Sequence, residues 1–403
     1  MSDDSKINVE PVTMGRRKII LAGASLAAVP LLGSVGTAAA ATTASAEAAP
    51  LKGPFTVRAY ATKGAKSGFA PMQIQRRAVG PKDILIDIEY AGICHSDIHT
   101  ARSEWSETPY PCVPGHEIAG KVAAIGSQVT KFKVGDYAGV GCMVDSCGEC
   151  ENCLADREQN CLKGTTFTYA SPDKVMGGMT YGGYSERIVV KEHFAIRMPA
   201  GANLAAMTPL LCAGVTTFSP MQHWQLKPGQ RVGVVGMGGL GHVAVKLGVA
   251  RRAEVTVFTT TPGKIEDAKR LGAHEAVLWS DKAAFARLAN HFDLIISTVP
   301  ESYPMQQFVD LLKLDATFVN VGALGKLEGL DGMLMAFGRK SFAGSLIGGI
   351  AETQEVIDYC AARNITADIE MIKPEQIDKA YERVIGKDVR YRFVIDFASA
   401  RKA

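Results

Sequence analysis

The sequence predicts an α/β protein of two domains, a small barrel of short strands joined to a doubly wound parallel sheet. Three observations carry this. Residues 51 to about 206 hold short alternating runs broken by Gly, Pro and Asp, which read as barrel strands. From about 207 strand-like apolar runs alternate with helical stretches, the pattern of a parallel sheet covered on both faces. The stretch "RVGVVGMGGLGHVAVKLGVA" sets a glycine-rich turn between a strand and a helix.

Taken in order, residues 1–50 differ in kind from the rest. Arg16-Arg17 precede an uncharged, mildly apolar stretch, and Ala38-Ala39-Ala40 and Ala44-Ser45-Ala46 both fit an Ala-x-Ala cleavage pattern. The segment reads as a twin-arginine export signal and linker, implying a periplasmic or extracellular protein. Ile19 to Ala41 is long enough to span a membrane, but its Ala, Gly and Ser content makes it weakly hydrophobic. No stable span is expected in the mature protein. If the signal is silent, the protein is cytoplasmic.

The barrel region, 51–206, reads strands in "DILIDIEYAG", "EIAGKVAAIG", "DYAGVG" and "YSERIVV". The sheet region, 207–345, reads strands in "VGVVG", "VTVF", "EAVLW", "DLIIST" and "ATFVNVG", with helices such as "GHVAVKLGVA" and "IEDAKRLGA" between them. Residues 346–403 are expected to return to the first domain, with "TQEVIDYCAARNI" as an amphipathic helix and "YRFVIDF" as a closing strand.

Cys147, Cys150, Cys153 and Cys161 carry the strongest chemical signal. Four soft thiolates at two-, two- and seven-residue gaps suit a closed tetrahedral zinc site. The spacing also suits an iron–sulfur cluster, and disulfides fit less well because the short gaps force the sulfurs onto one point. Cys94, His116 and Cys212 form a second set, of the kind that leaves a catalytic zinc one open position. Each of these alone reads as a core or structural residue. Together with the four-cysteine lobe they read as a site.

The glycines Gly236, Gly238 and Gly241, with Gly239 and Leu240 between them, permit a tight turn against a pyrophosphate at a helix N-terminus. A preceding strand, a following helix and the second strand "EVTVF" give the motif its context. A site selective for NAD has Asp or Glu at the end of that second strand. Here Thr259, Thr260 and Thr261 stand there with Lys264 nearby, so hydroxyls and an ammonium face a 2′-phosphate, and NADP is the expected cofactor. As a plain loop the same residues would simply cap a helix.

These pieces, with "GICHSDIH", "PGHEIAGKV", "GGYSE", "LLCAGVTTFSP", "LIGGIAETQEVIDYC" and "YRFVID", resemble the zinc-dependent medium-chain alcohol dehydrogenases, in their cinnamyl alcohol dehydrogenase-like, broad-range aldehyde reductase branch. The resemblance runs from about Tyr60 to Phe397. It implies a GroES-like β-barrel catalytic domain and a Rossmann domain, two zinc ions per chain, and hydride transfer between NADP(H) and an alcohol/aldehyde pair. It places Cys94, His116 and Cys212 on the catalytic zinc, with Glu117 either a further ligand or the partner of an arginine. Ser96 is expected to bond the substrate oxygen, His99 to relay its proton to solvent, and Asp97 to orient the zinc-bound histidine. Thr216, Val299, Val321 and Ser345 to Ile347 are expected along the cofactor cleft, and His95 near a cofactor phosphate. Trp105, Tyr110, Phe167 and Tyr169 are expected at the substrate pocket. A homodimer is expected.

Composition excludes little but is consistent. The 403 residues are 47% hydrophobic and 21% charged, with a net charge of +3 and no basic block, so a nucleic-acid partner is not expected. Nine cysteines in an exported chain would ordinarily suggest disulfides, but two zinc sites would occupy six, leaving Cys112, Cys142 and Cys360. Two rival functions remain. A catalytically silent zinc- or cofactor-binding relative would be marked by loss of Cys94, His116 or Ser96. A zinc-free reductase of the same superfamily would lack the metal ligands.

Overall fold

The computed structural model describes residues 53–400, and the N-terminal export reading falls outside them. A six-stranded parallel sheet runs in the order Glu275–Leu278, Glu254–Thr259, Arg231–Val235, Phe292–Ser297, Leu312–Asn320 and Ser341–Gly344. Chain order reverses between Arg231–Val235 and Phe292–Ser297, and ligands of open α/β sheets bind at that crevice. Val232, Val234, Val235, Ile295 and Ile296 are fully buried, because helices cover both faces. The expected strands and the helix Gly241–Ala250 are all present.

The other large sheet follows the order Ile369–Ile372, Arg392–Asp396, Asp83–Gly92, Ile118–Ile125, Tyr137–Val140 and Ala195–Arg197, with Arg187–Lys191 also pairing with Asp83–Gly92. It is antiparallel except where Ile369–Ile372 meets Arg392–Asp396. Strand Arg392–Asp396 pairs with Asp83–Gly92 through Val394 and Gly92, so the last segment of chain closes the first domain. The two sheets thus match the expected fold class, a strand barrel and a doubly wound parallel sheet.

The helix Ala213–His223 is buried along most of its length. Together with Leu204–Leu211 it forms a bent apolar pair, which is core; among the described residues no single helix is long and apolar enough to cross a membrane.

A cleft with two metal-ligand sets

Cys94 caps the helix His95–Ala101, and Asp97, three residues on, returns its carboxylate to the Cys94 amide at 2.8 Å. The same fully buried carboxylate accepts from the Gly115 amide at 3.0 Å and meets His116 Nδ1 at 3.0 Å. One carboxylate therefore fixes two segments and leaves His116 Nε2 facing inward, 3.2 Å from Cys212 Sγ. Gly115 is needed for this turn: its φ is +104°, and a Cβ there would lie 2.7 Å from Tyr184. Cys212 precedes the helix Ala213–His223, and hydrogen bonding with Cys142 and Cys94, with burial, holds its thiol well above the ordinary range.

Donor atoms of Cys94, His116, Glu117 and Cys212 all lie within 4.8 Å of one another. Hydrogen bonding to Cys212 pulls the Cys94 thiol well below its ordinary range despite burial, with Arg392 adding to the effect. Burial opposes the charge on His116, but Asp97, Cys142 and Cys94 together outweigh it and raise the imidazole. Glu117 is the partner of an arginine, and it keeps one oxygen free on the side of the cysteines. Its Oε1 accepts from Arg392 Nη2, while Oε2 is buried without a partner beside the two cysteines. Burial pushes this carboxyl up, and the charged guanidinium works against that. Two thiols, an imidazole and an orphaned carboxylate oxygen fit a zinc ion with one variable position.

The four-cysteine lobe is as compact. Cys150 Sγ is 3.5 Å and Cys147 Sγ 3.8 Å from Cys153 Sγ, far beyond a disulfide bond, and all four sulfurs lie within 4.8 Å of one another. Thiolates at about 2.3 Å from a tetrahedral zinc stand about 3.8 Å apart, so the spacing fits one ion. An iron–sulfur cluster interposes sulfides and would spread its ligands wider. Amides of Cys150, Leu162 and Cys147 point at Cys147, Cys150 and Cys161 sulfurs, at 3.3–3.4 Å. Such donors stabilise thiolates, and those of Cys153 and Leu162 pull Cys150 down to about 6. Buried Glu158 ties the lobe to the fold, holding His193 at 2.7 Å and the Ile350 amide at 3.0 Å.

A single cleft of about 510 Å³ runs from the Cys94–Cys212 set to the end of the parallel sheet. Gly236, Gly238, Gly239 and Leu240 line it, as do Thr216, Thr259, Thr260, Thr261, Lys264, Val299, Val321 and Ile347. Gly241 does not; it packs beneath the turn, where a Cβ would lie 2.1 Å from the Gly236 oxygen. Ser345 also misses the lining, because its amide is bonded to Asn320 O at the strand end. Its neighbour Ile347 has φ +43°, a strained value for a β-branched residue, and sits on the cleft wall. The buried Thr216 hydroxyl has no partner and faces this space.

At the inner end Ser96 Oγ lies 3.7 Å from Cys94 Sγ. His99 stacks on Trp105 at 4.8 Å and holds Glu104 through Nδ1 at 2.5 Å, while its buried Nε2 has no partner. His95 lines the cleft beside it, and burial lowers its imidazole. Of the four aromatics expected at the pocket, Trp105 lines it. Tyr110 is spent on Ser103 and the Ala101 carbonyl, Phe167 is exposed, and Tyr169 packs 5.7 Å from the His116 ring. Arg392 was not singled out from the sequence, although it lies inside "YRFVID". Its role depends on a partner 275 residues away.

Comparison with known proteins follows the same division. The alcohol dehydrogenase GroES-like domain family matches residues 80–200, and the zinc-binding dehydrogenase family matches 239–362. The chain is 50% identical to NADP-dependent alcohol dehydrogenase C 1 of Mycolicibacterium smegmatis, over 86% of this chain and 99% of that protein. It is 49% identical to aldehyde reductase YahK of Escherichia coli, over 84% and 98% of the two chains. A cinnamyl alcohol dehydrogenase of Sorghum bicolor superposes with a TM-score of 0.83 at 40% identity, over 85% of this chain and 98% of the other. The cinnamyl alcohol dehydrogenase (CAD) of Helicobacter pylori complexed with NADP(H) superposes with a TM-score of 0.81 at 40% identity, over 86% and 99%.

Proposed function

The chain belongs to the zinc-binding, medium-chain alcohol dehydrogenases, in the cinnamyl alcohol dehydrogenase-like branch, and from that premise we propose that it reduces aldehydes of broad range with NADPH. The observation that carries this is one continuous cleft. Cys94 and Cys212 line one end, with His116 grouped against them, and Thr259, Thr260, Thr261 and Lys264, with no carboxylate at the strand end, line the other.

Bound zinc supplies Lewis acidity at the Cys94–Cys212 end, and NADPH supplies the hydride. The chain's own part is positioning and proton movement. Asp97 fixes the tautomer of His116, so that Nε2 is free to ligate. Ser96 offers its hydroxyl where the substrate oxygen must lie. His99 presents an unpartnered Nε2 toward the cleft and hands charge outward to the half-exposed Glu104, a route from site to solvent. Gly236 to Gly241 seat the pyrophosphate, with the helix Gly241–Ala250 aimed at it. Thr259 to Thr261 and Lys264 receive the 2′-phosphate. The second zinc, in the four-cysteine lobe, contributes to folding.

A catalytically silent relative would have lost part of this apparatus; here the ligands, Ser96 and His99 meet at one cleft. The test is an aldehyde panel with NADPH on purified protein, with metal quantified. Turnover of several aldehydes by protein holding two zinc ions supports the reading. Zinc-loaded protein without turnover of any of them would defeat it.

The reading includes a homodimer. Ser341–Gly344 ends the parallel sheet with an edge that no described strand covers, and the nearby helix Gly332–Gly338 exposes Met333 and Phe337, the latter by 82%. A second copy pairing at that edge would bury both. Light scattering on wild type and Phe337→Asp decides it: a dimer that the substitution weakens supports the interface, and a wild-type monomer rules it out.

It also includes export by the twin-arginine route. Arg16-Arg17, the weakly apolar stretch and the two Ala-x-Ala sites support it. Folded export suits six thiolates that must meet zinc before an oxidant. Free NADPH is not expected outside the cytoplasm, so the cofactor either travels bound or is used before export. Fractionation of wild type and the Arg16→Lys, Arg17→Lys pair tests this. An uncleaved wild-type chain confined to the cytoplasm would reject export and leave the enzymatic reading standing.

A further inference from the structure

Two lysines line the sheet end of the cleft, and the arginines of neighbouring segments are already paired. Arg390 is committed to Asp267 at 2.7 Å, and Arg270 to Asp368 at 3.0 Å. Lys264 and Lys387 both line the cleft, and among the described residues neither ammonium has a hydrogen-bond or ion-pair partner. Lys264 is 6% exposed, and its ammonium meets only the Tyr391 ring, 5.9 Å from its centroid. A buried, unpaired ammonium facing a cavity is costly unless an anion is to be placed there.

Lys387 lines the same space from a separate segment of the chain. It follows the helix Ile377–Ile385, and its φ is +58°, an uncommon value for a side-chain-bearing residue. Backbone bonds from Lys387 N to Val384 O at 3.1 Å and from Asp388 N to Arg383 O at 2.9 Å hold that turn. A glycine would adopt this conformation more readily. That left-handed turn ends the helix and sets Lys387 on the cleft lining. Lys387 is near enough to Lys264 to depress its ionisation, as Arg390 also does. Two like charges from separate segments, both unpaired, face one void lined by three threonines.

We propose that Lys387 is a second anchor for the 2′-phosphate of NADP, gripping it from the catalytic-domain wall while Lys264 and the Thr259–Thr261 hydroxyls grip it from the Rossmann wall. The proposal rests on NADP being the cofactor. Its consequence is that the phosphate bridges the two walls, so 2′-phosphate recognition is a property of the cleft as a whole and not of the Rossmann loop alone.

The test measures equilibrium binding of 2′,5′-ADP and of 5′-AMP by calorimetry at low salt, in zinc-loaded wild type, Lys387→Met, Lys387→Arg and a control, Lys227→Met. Lys227 is exposed at the opposite end of the parallel sheet, before strand Arg231–Val235. Lys387→Met should weaken 2′,5′-ADP about three- to fivefold, as expected for one exposed ion pair, and leave 5′-AMP unchanged. Lys387→Arg should restore most of the loss, and Lys227→Met should change neither ligand. Wild type binding both nucleotides equally would overturn the NADP reading itself. Wild type preferring 2′,5′-ADP, with Lys387→Met unaltered or with both ligands weakened alike, would overturn only the anchor.

Discussion

Replacing Arg392 by Met removes half of the most deeply buried ion pair among the described residues, with side chains 3% exposed for Arg392 and 0% for Glu117. The guanidinium also lies under the cofactor turn, since a Cβ on Gly239 would meet Arg392 Cδ at 2.6 Å. Deleting one partner of such a pair costs about 3–5 kcal/mol, because the remaining carboxyl, which burial already pushes up, loses its charged partner and must take up a proton and stay buried unpaired. At a slope of about 3 kcal/mol per molar urea, the denaturation midpoint should fall by about 1–1.7 M. Adding Glu117→Gln removes the unpaired carboxyl and should recover at least about half of the loss, the non-additivity expected of direct partners. Zinc content, measured on each variant, shows whether the metal site survives. The reasoning fails if Arg392→Met costs under about 1 kcal/mol, or if the double variant loses the sum of the two single effects.

Thr259→Asp places a carboxylate beside the 2′-phosphate site; at about 4–5 Å and an effective dielectric near 20, repulsion of about 3–4 kcal/mol should weaken NADPH more than a hundredfold and spare NADH, as kcat/KM with each cofactor would show. Comparable wild-type efficiency with both cofactors would contradict the premise. Cys153→Ser should lose one zinc equivalent and much of the fold's stability, since structural zinc contributes on the order of 10 kcal/mol in peptides. His116→Ala should lose the other zinc and activity with less damage; elemental analysis and urea denaturation separate the two. Burial, with Arg390 and Lys387 adding to it, brings Lys264 down to about 8, while Asp267 opposes them. Lys264 is therefore charged below pH 8 and neutral above, so 2′,5′-ADP affinity should fall from pH 7.5 to 9.5, with proton uptake on binding, while 5′-AMP affinity stays level. His99→Ala should slow alcohol oxidation most below neutral pH and change its pH profile at unchanged zinc content; an unaltered profile would reassign His99 to packing.

The parts of this molecule that could be read from sequence are those whose physics is local or restricted to few residue types. Thiolates and imidazoles are few in the chain and are favoured zinc ligands, so Cys147 to Cys161 and Cys94, His116 and Cys212 stood out before any geometry. The turn Gly236–Gly241 needs close backbone approaches, which only glycine allows, and the alternation of apolar runs announced both sheets. Aromatic packing carries no such restriction. Tyr110 is aromatic and lies between Cys94 and His116 in sequence, as Trp105 does, yet only Trp105 of the two reaches the cleft, because tertiary packing decides which way each ring turns. Ser345 missed the lining for a similar reason: its amide finishes the strand ladder, and the chain bends into the cleft only at Leu346 and Ile347.

Arg392 and Lys387 show where the remaining information resides. Both sit in the last strand-and-turn segment, 275 residues from Glu117 in the first case and 123 from Lys264 in the second. Neither has a local pattern that marks it, since an arginine beginning a strand or a lysine ending a helix is ordinary. Their meaning comes from the sheet pairing of Val394 with Gly92, which carries the whole segment back onto the catalytic domain. That single antiparallel pairing brings one cation beneath the metal set and another to the mouth of the cofactor cleft. A chain that crosses between domains twice can therefore couple them with two charges, one neutralising the metal set and the other meeting the cofactor's phosphate. This also explains why the closing strand is more than a structural seal: shifting its register by one residue would turn Arg392 to the opposite face and leave Glu117 buried and alone.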